Sequence, residues 1–305
     1  VYAVSTAAAA STHHAVHPAD RLLDALARSG SPVCVGLDPV VDRLPLATLS
    51  SDGSKTDAVR RFCLGVLDAI EPHVSCVKIQ SACFERFGWP GVAVLHDVAA
   101  GVRAKKMTLI LDAKRGDIGI SAEHYAVASG EIGADWTTAN GYLGADGLLP
   151  FLEPFEGVRR GAFALVRTSN PSSDAFQSLP LADGRTVAEA MADLVASVGA
   201  KHRGVSGYSS LGAVVGATKP GDAAVLRARM PHQILLVPGF GAQGGSVDDV
   251  LPCFRPDGTG AIVTASRSVL YPADASAATG GDWKSPIARA AESFAREIRN
   301  ALGQS

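Results

Sequence analysis

The densest group of chemically capable residues is L-I-L-D-A-K-R-G-D-I-G at positions 109–119. If the segment is extended, Asp112 and Lys114 lie two apart and project from one face. Asp117 follows the Gly116 turn and can return to the same pocket or reach across an interface. A lysine held between carboxylates stays protonated, because neighbouring negative charge favours its charged form. Such a group suits proton delivery to a developing carbanion. The competing reading is a salt-bridged strand end closed by a glycine turn. Other apolar runs end in the same manner, at Asp38, Lys78, Asn140, Arg167 with Ser169, Pro238–Gly239 and Arg267. A charge closing an apolar strand is costly if buried alone. Several converging on one cavity would satisfy one another, so the number of such ends favours a shared site over scattered polar positions.

The elements that must carry these ends are short β-branched runs alternating with longer amphipathic stretches. Strands are expected at 33–38, 74–79, 107–112, 135–140, 161–167, 211–217, 233–238 and 260–265. Helices are expected near 56–71, 90–104, 121–131, 144–153, 184–202, 219–229, 245–251 and 285–302. Continuously apolar strands such as Ile234–Val237 suit a parallel sheet buried on both faces. Eight strands alternating with helices is the count of a (β/α)8 TIM barrel, whose function gathers at the C-terminal strand ends. A doubly wound open sheet is the alternative. The irregular stretch after Arg167 is the longest connection and a candidate lid.

The chain has 305 residues, 47% of them hydrophobic and 19% charged, which supplies a sizeable core and excludes global disorder. Twenty-eight basic against thirty acidic side chains give a net charge of -2, which argues against nucleic acid or anionic membrane as partner. No apolar run approaches the ~18–20 residues of a membrane span. Residues 1–18 are Ala-, Ser- and His-rich without a signal-peptide pattern, and read as a flexible tail before a catalytic barrel domain over 19–305. His13, His14 and His17 could chelate a metal, but a flexible tail is the preferred reading. The cysteines at 34, 63, 76, 83 and 253 form no C-x-x-C pair, so a reducing, cytoplasmic setting is expected. Cys34, Cys76 and Cys83 read as small core residues, and His124 as a surface residue.

Read together, D-A-K-R-G-D-I-G (112–119), C-V-G-L-D-P (34–39) and V-K-I-Q-S-A-C-F-E (77–85) resemble the orotidine 5'-phosphate decarboxylase family. V-R-T-S-N-P (166–171) and V-P-G-F-G-A-Q-G-G (237–245) extend the likeness towards the longer-chain bacterial branch. The resemblance implies a (β/α)8 barrel that converts orotidine 5'-monophosphate to UMP and CO2 without metal or organic cofactor. Lys78, Asp112, Lys114 and Asp117 match the family's alternating Lys-Asp-Lys-Asp array. There the last Asp comes from the neighbouring subunit, which implies a homodimer. Asp38 matches the residue that holds the ribose with the first Lys. Ile118 and Ser121 fall near the pyrimidine pocket and the ribose 2'-hydroxyl, and Ser169 matches the serine on the orotate ring. Pro238 and Gly239 open the glycine-rich turn on the phosphate side, where Gln243 and Arg267 match phosphate-side residues. The surrounding T-A-S-R-S departs from the V-G-R pattern common elsewhere in the family.

Three other readings compete. G-F-G-A-Q-G at 239–244 formally fits the dinucleotide fingerprint, but the stretch about twenty residues on, 260–265, has no carboxylate for a ribose. The motif therefore supports phosphate binding rather than NAD. The Mg2+-dependent sugar-phosphate branch of the same superfamily shares D-x-K-x-x-D but carries an acidic residue where this chain has Lys78, which would repel a divalent ion. A catalytically silent barrel that binds pyrimidine nucleotides would not need an acid poised at C6.

Overall fold

Eight short runs of β-branched and apolar residues close into one parallel barrel in chain order. A computed structural model describes residues 16–49, 53–217, 220–241, 244–272 and 282–303. The strands are β1 (Val33–Leu37), β2 (Cys76–Gln80), β3 (Thr108–Arg115), β4 (Trp136–Ala139), β5 (Gly161–Arg167), β6 (Leu211–Val215), β7 (Leu235–Pro238) and β8 (Ala261–Ala265). The helices are α1 (Pro18–Ser29), α2 (Lys55–Ile70), α3 (Ala82–Glu85), α4 (Trp89–Ala104), α5 (Gly119–Ile132), α6 (Asp174–Gln177), α7 (Val187–Gly199), α8 (Pro220–Arg229), α9 (Val247–Val250), α10 (Arg267–Leu270) and α11 (Lys284–Ala301). Closure is made by β1, which sets Val35 opposite Val77 of β2 and Val33 opposite Val263 of β8, both in parallel. No sheet edge is left to pair elsewhere.

Alternation divides each strand between two cores. Val33, Val35, Leu37, Val77, Ile79, Leu109 and Leu111 face outward and pack under the helices. Cys34, Cys76, Ile110, Trp136, Phe163, Val214, Leu236 and Ile262 face the axis and fill the lower barrel. The Trp136 and Phe163 rings stack at 4.5 Å between centroids. A Cβ on Gly161 would lie 2.5 Å from the Trp136 ring, so β5 opens on the residue that leaves that space. Ala19, Leu22 and Leu26 of α1 join this inner cluster and close its base. Above the apolar layer the buried residues turn polar, with Lys78, Asp112, Thr138 and Thr264.

Several elements differ from expectation, among them the short helices α3, α6 and α10, which were not anticipated. The stretch 144–153 is a series of 3-10 turns (Gly141–Leu143, Ala145–Gly147, Leu149–Leu152) rather than one helix. Gly144 sits at φ 85°, and Pro150 removes an amide donor, so an α-helical ladder cannot run through. α1 was not expected, and it overlaps the predicted tail: His17 caps it, its Nδ1 accepting from the Ala19 amide at 3.2 Å. The expected helix at 184–202 is shorter, starting at Val187 behind a reciprocal Thr186–Glu189 cap. His13 and His14 lie outside the described residues. No helix among the described residues is long and apolar enough to cross a membrane.

Candidate active site

The site grows from β2, β3 and β4, whose inward residues stack at the C-terminal mouth of the barrel. Asp112 is its centre. Its Oδ2 accepts from Lys78 Nζ at 2.7 Å and from Gln80 Nε2 at 3.2 Å. Its Oδ1 accepts from Lys114 Nζ at 2.6 Å and from the Thr138 hydroxyl at 2.9 Å. Lys78 also lies 3.8 Å from Asp38 Oδ1, which links the end of β1 to the same group. Lys78 and Asp112 are both buried, a position such charges hold only with partners of this kind. Burial works to raise the Asp112 carboxyl, but the charges and hydrogen bonds of Lys78 and Lys114 hold it well below the usual carboxylate range. Burial likewise works to lower the Lys78 ammonium, and Asp38 and Asp112 outweigh it and push it above the usual lysine value. Asp112 is thus an anion and Lys78 a cation across the physiological range.

Lys114 reaches this carboxylate by a different route from the one the spacing suggests. Its backbone is left-handed, at φ 48°, where the β3–β4 register shifts between Leu111 and Arg115. A non-glycine residue there is strained by about 1–3 kcal/mol, a cost that concentrates at functional sites. The Lys114 amide donates to Thr138 Oγ1 at 2.9 Å, so one hydroxyl fixes both the lysine backbone and the aspartate. The Lys114 side chain remains 46% exposed and faces the open mouth. Arg115 turns the other way, pairing with Glu85 and lying over the Tyr125 ring. Gln80 and Thr138 were missed by the sequence reading, although strand parity points to both. Gln80 is two residues beyond Lys78, and Thr138 two before Asn140.

Asp117 stands apart from this triad. Its Oδ1 accepts from the Ile118 amide at 2.9 Å, and it makes no ion pair among the described residues. Ile118 is 57% exposed, and Ser121 is exposed on the first turn of α5. The phosphate-side residues gather elsewhere on the rim. Pro238 ends β7, and Gly239 follows at φ 101° with its carbonyl accepting from the Gly245 amide at 3.2 Å. Gly241 faces Ser268 of α10, 3.5 Å from where its Cβ would be, which sets this turn beside the helix that Arg267 begins. Arg267 is exposed and makes no ion pair among the described residues. Gln243 lies outside the described residues. Ser169 sits in the loop after β5, its backbone against Gly216. Arg167 does not join the mouth and is drawn into a network with Asp174 and Asp222.

The chain matches the family described as "Orotidine 5'-phosphate decarboxylase / HUMPS family" over residues 31–279. The chain belongs to this family. A relative from Rhodopirellula baltica named orotidine 5'-phosphate decarboxylase is 41% identical over 266 residues, covering 83% of this chain and 88% of its own. One of the same name from Deinococcus radiodurans is 41% identical over 244 residues, covering 78% and 84%. The solved Leishmania donovani OMP decarboxylase superposes with a TM-score of 0.76 at 31% identity, over 95% of this chain and 100% of that one. The matched residues 31–279 contain all eight strands of the barrel and the Lys78–Asp112–Lys114 cluster.

Proposed function

We propose that the barrel mouth decarboxylates orotidine 5'-monophosphate to UMP and CO2, with Lys114 as the acid. Family membership and relatives of that name make the chain a carboxy-lyase. The observation that carries the mechanism is the Lys78–Asp112–Lys114 chain, in which an anion is fixed between two ammonium groups and one of these opens to the mouth. Heterolysis of the C6–carboxylate bond leaves the electron pair on C6 and releases CO2. The uncatalysed barrier is high, because the carbanion has little resonance relief, and enzymes lower barriers by about 8–23 kcal/mol. Lys114 stabilises the growing negative charge and then transfers its proton to C6, becoming a neutral amine. Asp112 faces the departing carboxylate, and their repulsion is relieved as CO2 leaves. Most of the effect is assigned to preorganised charge, since Asp112 and Lys114 are oriented before substrate arrives.

The remaining residues follow the same division of labour. Asp38 with Lys78 holds the ribose, Ser169 the ring, and Arg267 with the Pro238–Gly239 turn and Gln243 the phosphate, whose binding energy is available to the reacting carbon. Asp117 is contributed to the partner's site in a homodimer, with Ile118 and Ser121 beside it. Two features support this: Asp117 lies outside its own chain's cluster, and the segment after it is apolar yet uncovered. Ile118 and Ile120 are 57% and 67% exposed. Ile118 borders a groove of about 700 Å³ whose apolar wall is Ala126, Val127, Leu149 and Pro154 and whose rim carries Glu123 and Arg160, a surface that suits a second copy. Free cysteines at all five positions fit a reducing, cytoplasmic compartment.

The Mg2+-dependent sugar-phosphate reading is disfavoured by Lys78, whose ammonium stands 2.7 Å from Asp112 and 3.8 Å from Asp38. Purified protein with orotidine 5'-monophosphate and EDTA is expected to lose orotate absorbance and form UMP. Loss of activity on chelation would favour the metal-dependent branch. Lys114→Ala is expected to bind UMP with near-normal affinity and to turn over at most about a thousandth as fast, within the range for removing a charge-stabilising group plus its proton. Near-normal turnover in that variant would sink the assignment.

A further inference from the structure

Arg167 is the most deeply buried charged side chain among the described residues, 2% exposed, and the mechanism leaves it unused. It ends β5 at an irregularity: Leu165 lies opposite Val214, whereas Arg167, two residues on, lies opposite Val215. Leu165 packs against the inner barrel cluster, while the guanidinium beyond the shift lies among loop and helix residues. All five of its N–H donors find acceptors there. Nε donates to Asp222 Oδ2 at 2.7 Å. One terminal nitrogen donates to Ser173 Oγ at 3.0 Å and Gln177 Oε1 at 3.4 Å. The other donates to Ser178 Oγ at 3.1 Å and pairs with Asp174. A lysine has three donors on a single nitrogen and cannot reproduce this planar fork.

The partners matter because of what they hold. Gln177 Oε1 also accepts from the Thr168 amide at 2.9 Å, and its Nε2 donates to Thr168 Oγ1 at 2.8 Å. The Thr168 hydroxyl donates to Asn170 Oδ1 at 2.7 Å, and Ser173 Oγ donates to the Thr168 carbonyl at 3.2 Å. Both chain neighbours of Ser169 are therefore fixed through the Arg167 network. From the other side, Gly216 donates its amide to the Arg167 carbonyl at 2.8 Å, and a Cβ on Gly216 would come within 2.9 Å of the Ser169 nitrogen. Asp222 belongs to α8, so one buried cation joins the loop after β5 to the helix after β6.

We propose that Arg167 is a positioning residue of the reaction, acting through Gln177 and Thr168 to set Ser169 against the substrate ring. The inference rests on the decarboxylase reading. Displacing Ser169 by an ångström is enough to cost activity, because near-attack geometry is demanding.

The test is a mutant cycle of Arg167→Lys, Gln177→Ala, Ser169→Ala and the Arg167→Lys/Ser169→Ala double variant. Steady-state kinetics on orotidine 5'-monophosphate are taken well below each variant's Tm. Arg167→Lys is expected to lower kcat/KM by about tenfold or more, and Gln177→Ala by about three- to tenfold, by loss of geometry rather than of contact. The double variant is expected to be no slower than Ser169→Ala alone, because residues acting through one contact do not add. A lower Tm with unchanged kcat/KM in the single variants would overturn the proposal, as would losses that multiply in the double variant. If Arg167→Lys does not fold, the half-buried Gln177→Ala carries the test, paired with Ser169→Ala in the same way. A wild-type protein that leaves orotidine 5'-monophosphate untouched would instead overturn the decarboxylase reading itself.

Discussion

At the scale of single residues, the weight of the site falls on the Thr138 hydroxyl. It donates to Asp112 and accepts from the Lys114 amide, so it fixes the anion and the backbone of the acid with one oxygen. A hydrogen bond to a charged group contributes about 1.5–3 kcal/mol, and leaving its partner unsatisfied costs a comparable amount. Thr138→Val keeps the shape and removes the hydroxyl. Its expected effect is a fall in kcat of about ten- to a hundredfold with KM little changed, since the hydroxyl meets protein groups and not substrate. Steady-state kinetics and a UMP titration separate the two parameters. A raised KM at constant kcat would place Thr138 in substrate binding instead. Lys78, Asp112 and Lys114 were legible in the sequence because charges closing apolar runs are conspicuous. Thr138 and Gln80 were not, since a threonine or a glutamine in a strand is commonplace. The left-handed turn at Lys114 had no sequence signal, as lysine does not favour that region.

At the scale of elements, the strands were legible to within a few residues because most are short, mainly apolar runs between longer amphipathic stretches. The stretch 144–153 was misread because Leu148, Leu149, Phe151 and Leu152 imitate a helical face while Gly144, Gly147 and Pro150 forbid the helix. α1 was overlooked beside a low-complexity segment, although Ala19, Leu22, Ala25 and Leu26 carry the spacing of a buried face. Its latch makes a further prediction. His17 accepts from Ala19 through Nδ1 and donates to the His202 carbonyl through Nε2 at 3.1 Å, which requires the neutral ring. Burial accordingly pushes its pKa down from the usual value. The unfolded chain therefore binds the proton first as pH falls below about 6.5, and stability declines. Asp20 adds to the loss only at lower pH. Burial works to raise its carboxyl, but the amides of Val205 and Ser206 at 3.1 and 2.9 Å outweigh that and hold it low. Tm is expected to fall between pH 7 and 5, and His17→Asn, which keeps a capping side chain without the titration, should flatten that part of the curve. An unchanged slope in the variant would remove His17 as its cause.

At the scale of the whole molecule, Asp117 is the member of the expected Lys-Asp-Lys-Asp array that does not join its own chain's cluster. Lys78, Asp112 and Lys114 converge within the barrel, while Asp117 stands apart and the following Ile118 and Ile120 are exposed. If the partner's Asp117 completes each site, two inactive variants can repair one another. Lys114→Ala lacks the acid but retains Asp117 to lend, and Asp117→Ala lacks the loan but retains Lys114. In a mixed dimer of the two, one site receives both intact residues and the other receives neither. Random pairing at equal amounts makes half the dimers mixed, each with one working site of two, so about a quarter of wild-type activity should return. Each variant alone should stay inactive at every concentration. The measurement is turnover after co-expression with two separable tags, followed by isolation of the doubly tagged dimer, in which the expected activity rises to about half. Isolated mixed dimers without turnover would mean that Asp117 serves its own chain, and the cluster would then need a rearrangement of the 116–119 turn to reach it.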